Sequence, residues 1–271
     1  MKYFLQNFLW KYNLDLSRIH IDNFNLKKFQ KLLWPVSYKG LELIRVGNKV
    51  SDGGYVVPKS INKIKNIFSI GIGNVNDFEI ELAENNSKIF MADYSIKKIN
   101  QSHQNFSFIK KNIKSYNSYK SITFNDWYKK SIKKNNLNKD CAIQLDAEGD
   151  EYEIILSISE EYLKNVKILI IEFHNFTRIL QTPFNKIISS AIYKILETFV
   201  PIHIHINNTS SILNINGHNI PHTIEFTFER KNRNIKYFYQ NNYPNNLDKP
   251  NIAHKKDLIL PKDWFCNDKY I

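Results

Sequence analysis

The chain has 271 residues, 42% hydrophobic and 14% aromatic, a composition suited to one elaborated globular domain with a sizeable core. No run of eighteen apolar residues occurs, so no membrane span is expected. The net charge of +12 admits an anionic partner, and the two cysteines, Cys141 and Cys266, have neither metal nor disulfide spacing, which points to the reducing cytoplasm.

The segment Met1 to Trp10 is apolar but short. Gln6 and Asn7 interrupt it and no small-residue cleavage site follows, so no signal peptide is expected. Apolar residues at Phe4, Phe8, Leu9 and Tyr12, then at Leu26, Phe29, Leu32 and Leu33, predict amphipathic helix up to about residue 40, with Pro35 as its stop. Arg45 to Val57 reads as a hairpin with Asp52-Gly53-Gly54 as a tight turn. Residues 1–60 thus form a helical and hairpin extension, and residues 61–271 the main domain with its tail.

From residue 66 the pattern alternates. Strands are predicted at 66–70, 89–93, 106–110, 141–146, 167–173, 201–206 and 222–229, and helices at 75–86, 95–103, 124–135, 150–164 and 184–199. Such alternation implies parallel βαβ units in one doubly wound, seven-stranded α/β sheet. The last two strands are joined by a loop, Asn207 to Pro221, and should pair antiparallel. The Asn-, Tyr- and Pro-rich tail after Arg230 should wrap the surface. Between Lys97 and Lys139 eleven lysines accompany one acid, Asp126, a face that could attract a polyanion. Lys, Asn and Ile crowd the whole chain, however, so base composition is the more economical explanation.

Ligands of open α/β sheets sit outside the carboxyl ends of the strands. The first strand runs into Gly71-Ile72-Gly73, and twenty residues after Gly73 the second strand ends in Asp93. Glycines allow close backbone approach, and a carboxylate there can accept from two ribose hydroxyls. A dinucleotide fingerprint needs a third glycine where this chain has Asn76, and Asp77 and Glu79 at the helix start would repel a pyrophosphate. S-adenosylmethionine, cationic and free of phosphate, tolerates those acids. The alternative is a plain tight turn.

Later strand ends are polar. Asp146 and Glu148 lie two apart at the fourth, where paired carboxylates could hold acceptor hydroxyls, ligate a divalent cation or act as a base. Asp150, Glu151 and Glu153 read as dipole-complementing acids of the next helix. The fifth strand turns polar at Glu172 and His174, the histidine being a candidate general base or a simple strand cap. In the sixth, His203, His205 and Asn207 share one face, as on an edge strand or in a polar cleft. With Asp146, Glu172 and His174 they could build a mixed oxygen and nitrogen metal site, though the spacing requires none.

The ordered set Arg45-x-Gly47, Asp52-Gly53-Gly54-Tyr55, Gly71-Ile72-Gly73, Asp146-Ala-Glu148-Gly149, Glu172-Phe-His174, His203-Ile-His205-Ile-Asn207-Asn208 and Ile220-Pro221…Glu225-Phe-Thr-Phe228 resembles the FkbM-type family of S-adenosylmethionine-dependent O-methyltransferases. The resemblance runs over residues 40 to 260, with Ile206 where the family often has proline. It implies a class I methyltransferase-like sheet and methyl transfer to a hydroxyl of a sugar or sugar nucleotide, in pathways such as surface polysaccharide biosynthesis. On this reading Gly71 to Gly73 approach the amino-acid part of the cofactor and Asp93 holds its ribose. Asp52 to Tyr55 close over it, and Asp146 sits between cofactor and acceptor. His174, oriented by Glu172, takes the proton, and Glu148, His203, His205 and Asn207 bind acceptor hydroxyls or a cation. The competing readings are an RNA methyltransferase using the lysine face, a dehydrogenase, and a non-catalytic interaction module on the same fold. No Asn-Pro-Pro-Tyr-like element supports the first, the missing glycine opposes the second, and polar strand ends with no site to serve oppose the third.

Overall fold

The computed structural model describes residues 8–12, 25–132, 140–215 and 217–266. The expectation of helix over residues 1–7 and 13–24 lies outside the described residues. Helix α1 (Leu26–Leu32) begins where the Asn25 side chain accepts the Lys28 N–H at 2.9 Å, and it buries Leu26 and Phe29. After β1 (Val36–Ser37), strands β2 (Leu43–Gly47) and β3 (Gly54–Pro58) form the expected hairpin.

The central strands are β4 (Asn66–Ile70), β5 (Lys88–Ala92), β6 (Phe106–Ile109), β9 (Cys141–Leu145), β10 (Val166–Phe173), β11 (Phe199–Ile206) and β14 (Ile224–Arg230). Short pairs β7 (Asn112–Ile113) with β8 (Ser121–Ile122), and β12 (Ile212–Ile215) with β13 (His218–Pro221), flank them, and β15 (Phe238–Tyr239) pairs with β1. The sheet order is β11-β14-β10-β9-β4-β5-β6. Strand β14 runs antiparallel to both neighbours, and the pairings from β10 through β6 are parallel. This is the expected doubly wound seven-stranded sheet, mostly parallel with an antiparallel pair at one edge.

All residues of β4 and β9 are buried, as befits strands covered on both faces. Helices α3 (Phe124–Ser131), α4 (Glu151–Ser157) and α6 (Phe184–Thr198) cover one face, with Trp127, Ile155 and Ile192 packing over Phe68, Ile143 and Leu169. On the other, α2 (Asp77–Glu84) and the β2–β3 hairpin pack Phe78, Leu82 and Val57 over Ile67 and Met91. Thr227 on β14 ties the hairpin down by donating to the Val56 carbonyl at 2.7 Å. Among the described residues no helix is long and apolar enough to cross a membrane.

Besides the β12–β13 hairpin within the expected 207–221 loop, three expectations change. Residues 95–103 form no helix, because Asp93 Oδ1 claims the Ser95 N–H and hydroxyl, both at 2.7 Å, and the Asn76 amide bonds both backbone groups of Gln101. The helix predicted at 150–164 splits into α4 and α5 (Glu160–Leu163). Between them Ile158 and Ser159 are extended, and Lys194 and Asn125 satisfy the carbonyls that end α4. The tail does more than wrap the surface. Trp264 is fully buried and its indole donates to the Asn219 carbonyl at 2.8 Å.

The chain leaves β4 for β5 and β6 on one side and returns to β9 on the other. The switch point therefore lies between β4 and β9. There Gly71 adopts φ +76°, and a Cβ on it would lie 1.5 Å from the Asp146 carbonyl oxygen. Gly73, at φ +61°, has open space around its missing Cβ. Urea denaturation should separate them: Gly73→Ala costs only left-handed strain, about 1–3 kcal/mol, whereas Gly71→Ala adds a backbone collision and is expected to destabilise more.

Candidate functional site

At the switch point two adjoining hollows of about 220 and 250 Å³ share Gly71, Asp93, Ser95, Asp146 and Glu148. The first extends to Asp52, Gly53, Tyr55, Ile72, Gly73 and Asn74, and the second to Asn112, Ile113 and Asp150. A larger hollow, about 450 Å³, opens at the opposite ends of β4 to β6 beside Lys65 and Lys88, and contains none of the candidate residues. Gly54 is outside the cleft lining; a Cβ on it would fall 2.1 Å from the Asn48 carbonyl oxygen.

Asp93 directly follows β5 at the centre of the cleft, with only 6% exposure. Its Oδ2 accepts the Gly73 N–H at 3.0 Å, which links the glycine turn to the carboxylate. Oδ1 is taken up by the Ser95 N–H and hydroxyl, and Oδ2 keeps acceptor capacity for a ligand hydroxyl.

Beyond Asp146 an acid cluster gathers around one imidazole. His174 follows β10 directly. Its Nε2 lies 3.6 Å from Glu148 Oε2 and from Glu172 Oε1, and 3.8 Å from Asp146 Oδ1. Its Nδ1 is 3.0 Å from Oε1 of Glu151, a side chain with no exposure. That oxygen also accepts the Ala147 and Gly149 N–H groups at 2.9 and 3.0 Å, so Glu151 fixes both the β9–α4 turn and the imidazole. The Glu148 backbone in this turn is left-handed, at φ +54°. Glu151, not Glu172, orients His174. Nothing in the sequence separates Glu151 from its acidic neighbours, because its burial comes from the packing of α4 against β10.

Burial opposes charge on His174, but the Glu151 hydrogen bond and the charges of Glu151, Glu172 and Asp146 outweigh it and hold the imidazole up at about 9. Burial pushes Glu172 up to about 7 against the pull of His174, and burial together with Glu172 raises Asp146 well above the usual carboxylate range. Asn207 supports Glu172 by donating to Oε1 at 2.6 Å. The other two polar residues of β11 reach different partners: His203 lies 2.9 Å from Asp248, and His205 lies 3.3 Å from Asp257, both acids of the tail. The sequence thus brings Asp146, Glu148, Glu172, His174 and Asn207 together, and places His203 and His205 one layer away. Asp146, Glu148 and His174 present ligand atoms within 4.8 Å of one another, a set able to hold a divalent cation.

No family model matches the sequence, and no curated protein matches it either. Solved structures similar to it include a candidate RNA methyltransferase from Pyrococcus horikoshii, at 9% identity over 63% of this chain and 78% of that one, with a TM-score of 0.32. The fibrillarin/Nop5p complex is similar at 14% identity over 68% of this chain and 88% of that one, with a TM-score of 0.38.

Because the folded imidazole is held at about 9 against an ordinary 6.5, its stabilising contribution is full below pH 6.5 and is lost as pH rises through 9. NMR titration of His174 is expected to show the raised midpoint in the wild type and a lower one in Glu151→Gln. Thermal stability should fall across the same window, and less so in His174→Gln.

Proposed function

We propose that the protein is an S-adenosylmethionine-dependent O-methyltransferase acting on a sugar hydroxyl. The observation that carries this reading is the cleft at the β4–β9 switch point, with a glycine turn on one wall, the Asp93 carboxylate at its centre and the acid–imidazole cluster at one end. Asp93 would hold the ribose of a nucleoside, and Asn112 and Ile113 would line the space for its base. Gly71 to Gly73 on one side and Asp52, Gly53 and Tyr55 on the other would border its amino-acid portion. When bound, the cofactor supplies an electrophilic methyl group on a sulfonium, which leaves as a neutral thioether.

The protein's contribution is positioning and proton removal. Asp146 borders both hollows and lies 3.8 Å from His174 Nε2, so it would stand between cofactor and acceptor. Held up at about 9, His174 is a cation at neutral pH. Asp146 would hold a cationic cofactor beside the cluster, and the imidazole, its pKa lowered by that charge, would accept the hydroxyl proton at Nε2. Glu151 keeps Nδ1 occupied, so Nε2 is the nitrogen that faces the acceptor. Glu148 and Glu172 supply acceptor atoms for neighbouring sugar hydroxyls.

The acceptor end also bears on the choice of substrate. Asp146, Glu148 and Glu172 stand there against one imidazole. Carboxyl groups there can hydrogen-bond the hydroxyls of a neutral polyol in either protonation state and offer a phosphodiester no matching cation beyond the imidazole. The FkbM-type family and a destination in a surface glycan rest on the ordered motifs alone.

Calorimetry with S-adenosylmethionine, with and without EDTA and with NAD as control, tests the cofactor. Micromolar binding is expected, weakened about 10- to 100-fold in Asp93→Ala, since hydrogen bonds to a charged group are worth roughly 1.5–3 kcal/mol. Turnover with sugar nucleotides, followed by mass spectrometry, should fall about 10²- to 10⁴-fold in His174→Gln with cofactor affinity retained. Full turnover in that variant rejects His174 as the base. No cofactor binding by the folded wild type rejects the methyltransferase reading.

A further inference from the structure

Beneath the first hollow runs a buried polar chain that the cleft geometry leaves unexplained. Glu79 on α2, 3% exposed, is hydrogen-bonded to the fully buried Ser69 hydroxyl on β4. The same hydroxyl lies 2.8 Å from Gln144 Oε1 on β9. Gln144 Nε2 in turn donates to the Tyr55 hydroxyl at 3.0 Å, and Tyr55 lines the cleft. Four side chains on four elements thus connect a helix acid to the ligand wall.

Counting hydrogens reveals two states. Ser69 has one hydroxyl hydrogen and faces two acceptor oxygens, Glu79 Oε1 and Gln144 Oε1. Both contacts are satisfied when Glu79 is neutral: its carboxyl donates to Ser69, Ser69 donates to Gln144, and the Gln144 amide donates to Tyr55. The phenol hydrogen is then free to point into the cleft. When Glu79 is ionised, Ser69 must donate to it and the rest of the chain reverses. The Gln144 amide turns over to donate to Ser69, its oxygen takes the phenol hydrogen, and Tyr55 offers the cleft only lone pairs.

We infer that Glu79 acts as a positioning residue that sets the hydrogen-bond polarity of Tyr55, making the phenol a donor to the carboxylate of an amino-acid-bearing nucleoside only while Glu79 is neutral. The identity of this ligand rests on the methyltransferase reading; the relay does not. The first hollow is rich in acceptors and poor in donors. Asp52, Asp93, Asp146 and Glu148 line it, the Ser95 hydroxyl is spent on Asp93, and the Gly71 and Gly73 N–H groups are spent on Ala92 and Asp93. A ligand carboxylate entering there depends on the donors that remain, and Tyr55 is one of them.

The surroundings of Glu79 allow the switch to operate near neutrality. Burial, opposed by the Ser69 hydrogen bond and its own backbone N–H, pushes Glu79 up to about 7. Asp77 on the same helix adds to the rise. The β2–β3 hairpin, β4 and β5 pack Val46, Val57, Ile67 and Met91 into the same interface, and the Lys49–Glu81 ion pair lies at its exposed rim. At the far end, Tyr55 is held protonated, first by burial and then by the charges of Asp146, Glu225, Glu172 and Asp52.

The test compares wild type with Glu79→Gln, a neutral amide that keeps donating to Ser69 at every pH. With S-adenosylhomocysteine as probe, the two should bind equally at pH 6. At pH 8.5, where a group titrating near 7 is about 3% neutral, the variant should bind roughly 30-fold more tightly. Tyr55→Phe should weaken binding at pH 6 and remove the difference. A wild-type-to-variant ratio that stays constant with pH, or an unchanged affinity in Tyr55→Phe, overturns the proposal. The 13Cζ shift of Tyr55, assigned by its loss in Tyr55→Phe, reads the relay without ligand. It should titrate near 7 in the wild type and stay flat in Glu79→Gln; identical titration in both overturns the relay. Failure of the wild type to bind the probe overturns the carboxylate assignment along with the methyltransferase reading, and the carbon shift still decides the relay.

Discussion

The contact on which the site depends is that between Gly71 and the end of β9. The Asp146 N–H bonds the Ile70 carbonyl at 3.0 Å, and the Gly71 N–H bonds the Ala92 carbonyl at 3.1 Å, so β4 is gripped from both sides at the point where it stops. Only a residue without a Cβ can turn away there against the Asp146 carbonyl. Because of that abutment the glycine turn, Asp93 and Asp146 all border both hollows. A larger residue would separate β4 from β9 and with them the two ends of the cleft.

Around this contact the molecule tolerates an unusual amount of buried acid. Glu79, Glu172 and Glu225 are each pushed up to about 7, chiefly by burial, and lie on different elements of the same sheet face. Register places Glu172 opposite Glu225 and Glu225 opposite His205, so one row of ionisable groups crosses β10, β14 and β11. Asn207, Arg45, His205 and the acids of the tail form its environment, and the row is bounded at the cleft by His174. Such a row stores few net charges, because buried carboxyls retain protons when a neighbour is ionised. It supplies a polar floor without a strong permanent field.

How much of this could be read from the sequence depended on whether the cause was local. The seven strands were legible because each is a short apolar run bounded by turn residues, and Asp146, Glu172, His174 and Asn207 were legible because polarity at the end of a buried strand is rare without purpose. The helix expected at 95–103 failed because Asp93 and Asn76 capture its backbone groups, an event set by residues outside the segment. The β12–β13 hairpin was read as loop although Asn216-Gly217 is a strong hairpin dipeptide. Glu151, Asp248 and Asp257 had no signal. Each is an ordinary acid in its own stretch of chain and gains importance only from a histidine brought to it by the fold.

The tail carries one more consequence, for the order in which the molecule is built. The Asn208 side chain accepts the Ile252 N–H and donates toward the carbonyls of Ile252, Lys255 and Lys256, while Asn251 donates to Asp52 at the rim of the cleft. Strand β14 wedges between β10 and β11, both made before it. During synthesis the β4–β6 half of the sheet can assemble while β10 and β11 still lack the strand that joins them. The wall over Asp52 closes later still, when residues 251–256 clear the ribosome. A chain truncated before that point keeps the glycine turn and Asp93 but lacks the Asn251 contact that tethers Asp52.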